Sequence, residues 1–425
     1  MPNDFGHEEI IEDFANGVAA FDDMGVAVNT VSRFSTDSGQ LARTGNVIWV
    51  PQPDIATVFD GMDATANMGN TMTELQIPIT VGFQHHIPFV LDIQEARDRA
   101  RENNLSRAAL QRLASKINAT VNSVAANQGT LVVTSAGPAT GYDDAGLCSA
   151  KMIEEGVSQM DTQWLVGARD YIKMAGNLAA RQTLAGKTQK AYEKAFIDNV
   201  AGFSTFKNDT AFRLTARTAT GVTMNGANQF YTPKSKSTAT TGEISNVDNR
   251  YQTVIFNVTA GALKAGDCFS VVDVESVHHI TKAATGSLKT FRIISLITAG
   301  GPGAVSAVIS PPFISGQGGT SAELQQQNIS STPLANAVVN MLNTTTAYVH
   351  PFYEKEAICL TPAHYAIPKD SGPNVMQLTS ESGIEINFSK SYNHVKGTIE
   401  LIWRAFYGVT MKAPEQCGIM LFGQV

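Results

Sequence analysis

The chain has 425 residues, of which 43% are apolar and 16% charged, with a net charge of −7. That length suits two or three folding units, and the charged fraction lies below the usual figure of about 25%, as in a protein that buries much surface in contacts. An acidic balance without a Lys/Arg-rich block excludes strong, salt-dependent nucleic-acid binding, and no apolar run approaches the roughly 18 residues of a membrane helix.

The first 34 residues carry Asp4, Glu8, Glu9, Glu12, Asp13, Asp22 and Asp23 before the first basic residue, Arg33. With Ile10, Ile11 and Phe14 at helical spacing, they read as a short acidic amphipathic helix and an extended arm. No basic region followed by an apolar core opens the chain, so no signal peptide is expected.

"GNVIWVPQP" (Gly45–Pro53) and "TELQIPITVGF" (Thr73–Phe83) read as two strands around a long polar tip, a projecting hairpin. "QEARDRARENN" follows, a highly charged segment expected to be helical, with Glu95 and Arg99 at i,i+4. The strongest helix comes next. Leu110, Leu113, Ile117, Val121 and Val124 recur at steps of three and four, between Ser106 as N-cap and Gly129 as C′ residue. The pattern predicts a rod of roughly 33 Å with one apolar stripe.

From Gly129 strands ("TLVVTS", "QWLVGA") alternate with helices ("DDAGLCSAKMIEEGV", "ARDYIKMAGNLAARQTLAG"), which predicts an α+β lobe. The texture changes near Arg213. "RLTART", "GVTMNG", "YQTVIFNV", "CFSVVDV", "KTFRIISLI" and "GAVSAVIS" are short strands joined by Gly-, Asn- and Thr-rich turns, a small barrel or sandwich. Within it, Tyr231–Asn249 is polar and Thr/Ser-rich; it carries no core signal and is expected to be mobile in a free subunit. Helical texture returns in "SSTPLANAVVNML" (Ser330–Leu342). The last segment, "GTIELIWRAFYGVTMKAPEQCGIMLF", is two strands about a proline turn. The β module thus interrupts the lobe and does not follow it, as surface-loop insertions do.

Catalytic chemistry is not written here. His85-His86 and His278-His279 point to opposite faces if on strands, and Walker, GxSxG, GxGxxG and HExxH patterns are absent. Asp143-Asp144 reads as a helix start. Cys148, Cys268, Cys359 and Cys417 stand far apart and read as buried free thiols, which fits synthesis in a reducing cytoplasm. No catalytic residue, metal ligand or cofactor is expected.

Taken in order, the pieces resemble the major coat proteins of P22-like short-tailed double-stranded-DNA phages, which share the HK97-like capsid fold. The matches are "NVIWVP" (46–51), "AGFSTF" (201–206), "NVDNRYQTV" with "LKAGD" (246–267) and the C-terminal "YGV…PE…G…GQ". Each is weak alone; their collinearity carries the resemblance. It implies an α+β chain with an N-terminal arm (1–44), an E-loop hairpin (45–83), a P-domain with its spine helix (84–128) and an A-domain in two parts (129–212 and 317–380). An inserted β-barrel (213–316) with a D-loop (231–249) and closing strands (381–425) complete it. It implies a structural protein that self-assembles as hexamers and pentamers, with a separate scaffolding protein and a portal protein. The shell would hold double-stranded DNA without sequence-specific binding and touch no membrane, forming in the host cytoplasm and ending in the virion.

The resemblance also assigns contacts. Glu8, Glu9 and Glu12 are expected to bind scaffold. Asp54, Asp60, Asp63 and Glu74 of the E-loop are expected to meet Arg97, Arg99, Arg101, Arg107 and Arg112 of a neighbouring subunit. Lys234, Lys236 and Glu243 of the D-loop are expected to meet acidic groups across a two-fold axis, with Asp248, Asp267 and Asp273 as candidates. No lysine precedes Lys116, so a covalent cross-link through an E-loop lysine is not expected, nor is a long cleavable N-terminal domain ahead of the arm. Two other readings, a cytoplasmic enzyme and a surface adhesin, each with a β accessory domain, have no site or leader to support them.

Overall fold

A computed structural model describes residues 26–34, 45–53, 55–56, 58, 61–63, 65, 68, 72–92, 99–180, 187–210, 212–363, 374–380 and 383–424. In chain order, β1 (Ser32–Arg33) precedes the hairpin β2 (Val47–Pro51) and β3 (Gln76–Thr80), then β4 (Phe83–Asp92) and the long helix α1 (Arg99–Gln128). A mixed stretch follows: β5 (Leu131–Ser135), α2 (Tyr142–Glu155), β6 (Thr162–Gly167), α3 (Ala168–Ala179), α4 (Lys187–Lys194), β7 (Asn199–Val200), β8 (Phe203–Asn208) and β9 (Arg213–Leu214). The β-rich stretch holds β10 (Thr220–Met224), β11 (Lys236–Thr238), β12 (Ile244–Asn246), β13 (Gln252–Ala260), β14 (Cys268–Val277), β15 (Ala284–Leu296), β16 (Gly303–Ser310), the short helix α5 (Ser321–Gln326) and β17 (Val339–Met341). The chain closes with β18 (Ala347–Glu354), β19 (Ile358–Pro362), β20 (Asn374–Thr379), β21 (Glu385–Asn393), β22 (Thr398–Met411) and β23 (Cys417–Phe422).

The chain divides into two units. The first comprises the described residues within 1–48, 79–122 and 358–410. Its sheet runs β1-β19-β22-β21-β20, with β4 also on β22. β22 is its axis: Ile386 faces Ala405 on one side, while Phe83 through Asp92 face Tyr407 through Thr398 on the other. Trp403, fully buried, lies between Phe89 and Phe388 with ring centroids 5.6 and 4.9 Å away. Tyr407 is fully buried and donates its hydroxyl to Thr120 Oγ1 of α1 at 3.1 Å. Asn118 Oδ1, also on α1, accepts from Ala27 N at 3.1 Å.

Helix α1 starts seven residues before the expected cap and spans 30 residues, about 45 Å. Its stripe is as read: Leu110, Leu113, Ile117 and Val121 are buried. Gly129 is not there for a left-handed turn. A Cβ on it would lie 3.0 Å from both Ala125 O and Cys417 Sγ, so close packing selects glycine.

The second unit comprises the described residues within 49–78, 123–357 and 411–425. A mixed sheet, β5-β23-β18-β6-β8-β7 with β9 on β18, has parallel pairs at β5/β23 and β6/β8. Trp164, Phe203 and Phe352 pack on Tyr171, Met174 and Met420 around α2 and α3. Strands from before and after the β-rich stretch share this sheet, so that stretch is an insertion in it.

The insertion is a closed barrel. Its order is β10-β13-β16-β15-β14-β17, and the ends join where Thr223 pairs with Val338 and Met224 N donates to Ala337 O at 2.9 Å. Val254, Phe256 and Val258 alternate inward as the sequence predicts. They surround a chain of rings, Phe256, Phe269, Phe291 and Phe313, with successive centroids 5.4, 5.5 and 4.7 Å apart.

Four expectations change. Residues 330–342 are not helical: Val339 and Met341 are buried on either side of exposed Asn340, and β17 closes the barrel well past residue 316. The β-branched pair Val338-Val339 fits a strand once a partner edge exists. Strand β9 ("RL" of "RLTART") pairs with β18 of the mixed sheet, not with the barrel. The tract 231–249, read as carrying no core signal, contains a short hairpin, with Lys236 facing Asn246 and Thr238 facing Ile244; its backbone groups pair without an apolar core. Asp267 is buried, accepting from Asn343 Nδ2 at 2.8 Å and Lys264 N at 2.9 Å, so it cannot meet another subunit. α4, α5 and the β20–β21 hairpin carried no sequence signal that we read.

Candidate functional site

The second unit offers two features that bear on function: the seam that seats the barrel and the hairpins that project from it. The seam is polar. On β15, Phe291 and Ile293 belong to the barrel core, while Lys289, Thr290 and Arg292 make polar contacts with the mixed-sheet side. Thr290 Oγ1 donates to Thr130 O at 2.7 Å and accepts from Val132 N at 3.1 Å. Arg292, fully buried, donates to Gly129 O at 3.4 Å. Lys289 Nζ lies 2.6 Å from Glu155 Oε2, at the end of α2, and 2.8 Å from Glu415 Oε1, in the turn between β22 and β23. Glu415 also accepts from Asn328 Nδ2 at 3.1 Å.

Burial opposes charge on Lys289, but the two carboxylates outweigh it and hold the ammonium well above the ordinary lysine range. Burial likewise works against Glu415, and Lys289 overcomes it, so this carboxyl sits below the usual range. His279 and Lys282 stand close by without so near a partner. Burial lowers the imidazole and brings the Lys282 ammonium down to about 8. A cavity of about 450 Å³ opens beside this cluster, walled by Leu75, Ile77, Pro311, Pro312 and His279.

The hairpin β11–β12 stands out from the barrel. Lys234, Lys236 and Glu243 are exposed on it, as a contact surface requires. Asp248, at its base, takes Arg250 Nη2 at 2.6 Å within the same chain, which leaves it poorly placed to serve Lys234 or Lys236 of another subunit. Asp273 is exposed.

The β2–β3 hairpin presents Asp63 and Glu74 to solvent. The amide and hydroxyl of Thr65 donate to Asp63, and this holds its carboxyl below the usual range. Its described tip is also apolar, with Val58, Met62 and Met68 at least four-fifths exposed, a feature that charge counting overlooked. Arg107 and Arg112 are exposed on α1, and Arg99 and Arg101 fall in its first turn. Glu8, Glu9, Glu12, Asp54, Asp60 and Arg97 lie outside the described residues. Among the described residues no cluster of His, Cys, Asp and Glu could hold a metal ion. All four cysteines are buried free thiols.

A long helix with a β-ribbon sheet, a mixed sheet flanked by helices, a projecting hairpin and a barrel inserted in the mixed sheet together make the HK97-like phage capsid architecture. The family profile described as "P22 coat protein - gene protein 5" matches residues 7–423. The chain belongs to the P22 coat protein family, and it is a major capsid protein that assembles with its own copies into a phage shell.

Among solved structures, a chain of Mycobacterium phage Che8 is 10% identical, with 93% of this chain and 90% of that chain covered and a TM-score of 0.46. The capsid of cyanophage P-SCSP1u is 11% identical, covering 93% and 86%, with a TM-score of 0.45. The CUS-3 coat protein I-domain is 26% identical over 30% of this chain and 98% of its own, with a TM-score of 0.23.

Proposed function

We propose that the protein forms the icosahedral shell of a double-stranded-DNA phage as hexamers and pentamers, directed by a separate scaffolding protein and closed around a portal protein. Assembly takes place in the host cytoplasm and ends in the virion. The observation that carries this reading is the family match over residues 7–423, from the acidic arm to the last strand. The two hairpins support it, because projections enlarge contact area without enlarging a core, and many weak symmetric contacts sum around a closed shell.

In this reading Glu8, Glu9 and Glu12 bind a basic scaffold surface. Asp54, Asp60, Asp63 and Glu74 face Arg97, Arg99, Arg101, Arg107 and Arg112 of a neighbour, and Lys234, Lys236 and Glu243 reach across a two-fold axis. DNA fills the interior without sequence-specific contacts, consistent with a net charge of −7. Co-expression with a scaffolding protein, followed by sedimentation and negative-stain microscopy, tests it. Closed shells of uniform diameter are expected; a chain that stays monomeric beside its scaffold overturns it.

A further inference from the structure

The two hairpins, 47–80 and 236–246, are far apart in sequence, yet their roots meet twice. The first meeting is at Asp248. Its backbone forms a parallel bridge with Gln76 of β3. Its carboxylate receives Arg250 Nε at 2.8 Å and Nη2 at 2.6 Å, a two-point grip. Arg250 Nη1 donates to Met411 O. The next residue, Asn249, is buried and clamps the base of the short hairpin: Lys234 N donates to Asn249 Oδ1 at 3.0 Å, and Asn249 Nδ2 donates to Lys234 O at 2.9 Å. Three consecutive residues therefore hold the short hairpin on one side and the long hairpin on the other.

The second meeting is at α5. Gln325, buried, accepts from Thr73 N of the long hairpin at 3.4 Å. Glu323, fully buried, accepts from the hydroxyl of Thr232 below the short hairpin and from Gly318 N at 2.6 Å. A carboxylate taken out of water needs such donors to persist. Here one of them, Thr232, belongs to the segment that leads into the short hairpin.

We propose that Arg250 and Glu323 are positioning residues that couple the two hairpins, so that fixing one in a contact biases the orientation of the other. The inference rests on the reading of both hairpins as assembly contacts. Two braces from separate elements give one rigid footing, and any equilibrium coupling through it acts equally in both directions. In a shell, a subunit whose short hairpin is engaged would present its long hairpin already oriented, which lowers the ordering cost of the next contact.

Amide hydrogen exchange on the full-length monomer tests the coupling without assembly. Arg250→Ala should speed exchange about tenfold at Ala239 in the short hairpin and also at Gln52, whose amide donates to Leu75 O in the long one. Arg250→Lys should restore part of both. Thr73→Pro, which removes the donor to Gln325, should speed Ala239 although it lies in the other hairpin. Amides of β13 report whether the barrel is intact; if Arg250→Ala loosens them too, Thr232→Val, which deletes only the hydroxyl donor to Glu323, makes the same test at Gln52. If each substitution affects its own hairpin alone, the coupling is wrong. Shell formation by the unmodified chain with scaffold is scored separately. Its failure counts against the assembly reading, whereas exchange changes confined to one hairpin count against the coupling alone.

Discussion

Lys289 Nζ lies 2.6 Å from Glu155 Oε2, and both side chains are at most 3% exposed. The pair joins the inserted barrel to the mixed sheet, with Glu415, 30% exposed, as the third member. Removing the lysine leaves buried Glu155 with only Lys151, 3.3 Å away at i,i+4, as counter-ion, and losing one partner of a buried pair costs about 3–5 kcal/mol. Lys289→Met should therefore lower monomer stability by about 3 kcal/mol in urea unfolding, the lower end because solvent reaches Glu415. Adding Glu155→Gln should recover part of that loss. A fully additive double variant would show that the pair is not coupled.

The same cluster sets a pH response. Burial lowers the pKa of His279 in the folded chain, so the unfolded state binds the proton more readily. Stability from this group is present above the unfolded value of about 6.5 and falls as pH drops towards the folded value. Glu415 is depressed by Lys289, so its contribution is present above the unfolded carboxyl value and is lost as pH falls through its folded one. Urea midpoints should decline in two steps, one below about pH 6.5 and one below about pH 4.3. His279→Gln should shrink the first step, to which His85, also lowered by burial, still contributes, and leave the second.

Gly418 should not tolerate a side chain. It faces Phe352 across β23 and β18. A Cβ there would lie 2.2 Å from Phe352 Cζ and 2.7 Å from Leu131 O. With backbone on one side and a buried ring on the other, relief means moving a strand, so Gly418→Ala should cost about 2–3 kcal/mol. Soluble yield and thermal melting would check this; an unchanged melting temperature contradicts it.

The short hairpin should separate folding from assembly. Lys234, Lys236 and Glu243 are exposed, so reversing all three charges should change monomer stability by less than about 0.5 kcal/mol per site. Shell yield with scaffold should nevertheless fall, measured by sedimentation. The arm should behave likewise: replacing Glu8, Glu9 and Glu12 by Gln should reduce scaffold incorporation as added salt does, because exposed charge pairs are screened.

All four cysteines are buried without a disulfide. Burial pushes the thiols of Cys148, Cys268 and Cys417 up, which suppresses the reactive thiolate. A thiol reagent should therefore label none of these three in the native monomer, and should find all four cysteines after denaturation. Fast native labelling at Cys268 or Cys417 would mean that the seam opens readily.

The sequence by itself determined what depends on neighbours along the chain. The stripe Leu110–Leu113–Ile117–Val121 made α1 legible, because period 3.6 is local. Alternation in Val254–Phe256–Val258 did the same for β13. The collinear motifs from "NVIWVP" to the final "GQ" carried the family. Tertiary structure alone decided what depends on distant partners. Val339 became a strand only because β10 and β14 supplied edges on both sides, and Thr/Ser-rich 236–246 became a hairpin through its own cross-strand backbone bonds. Gly129 and Asp267 look like surface turn residues until Cys417 and Asn343 arrive beside them. Lys289, one lysine among many in sequence, becomes the centre of the seam because folding brings Glu155 and Glu415, 134 and 126 positions away, to an ammonium that water cannot reach. Periodicity records which face a residue turns inward. It cannot record what that face will meet.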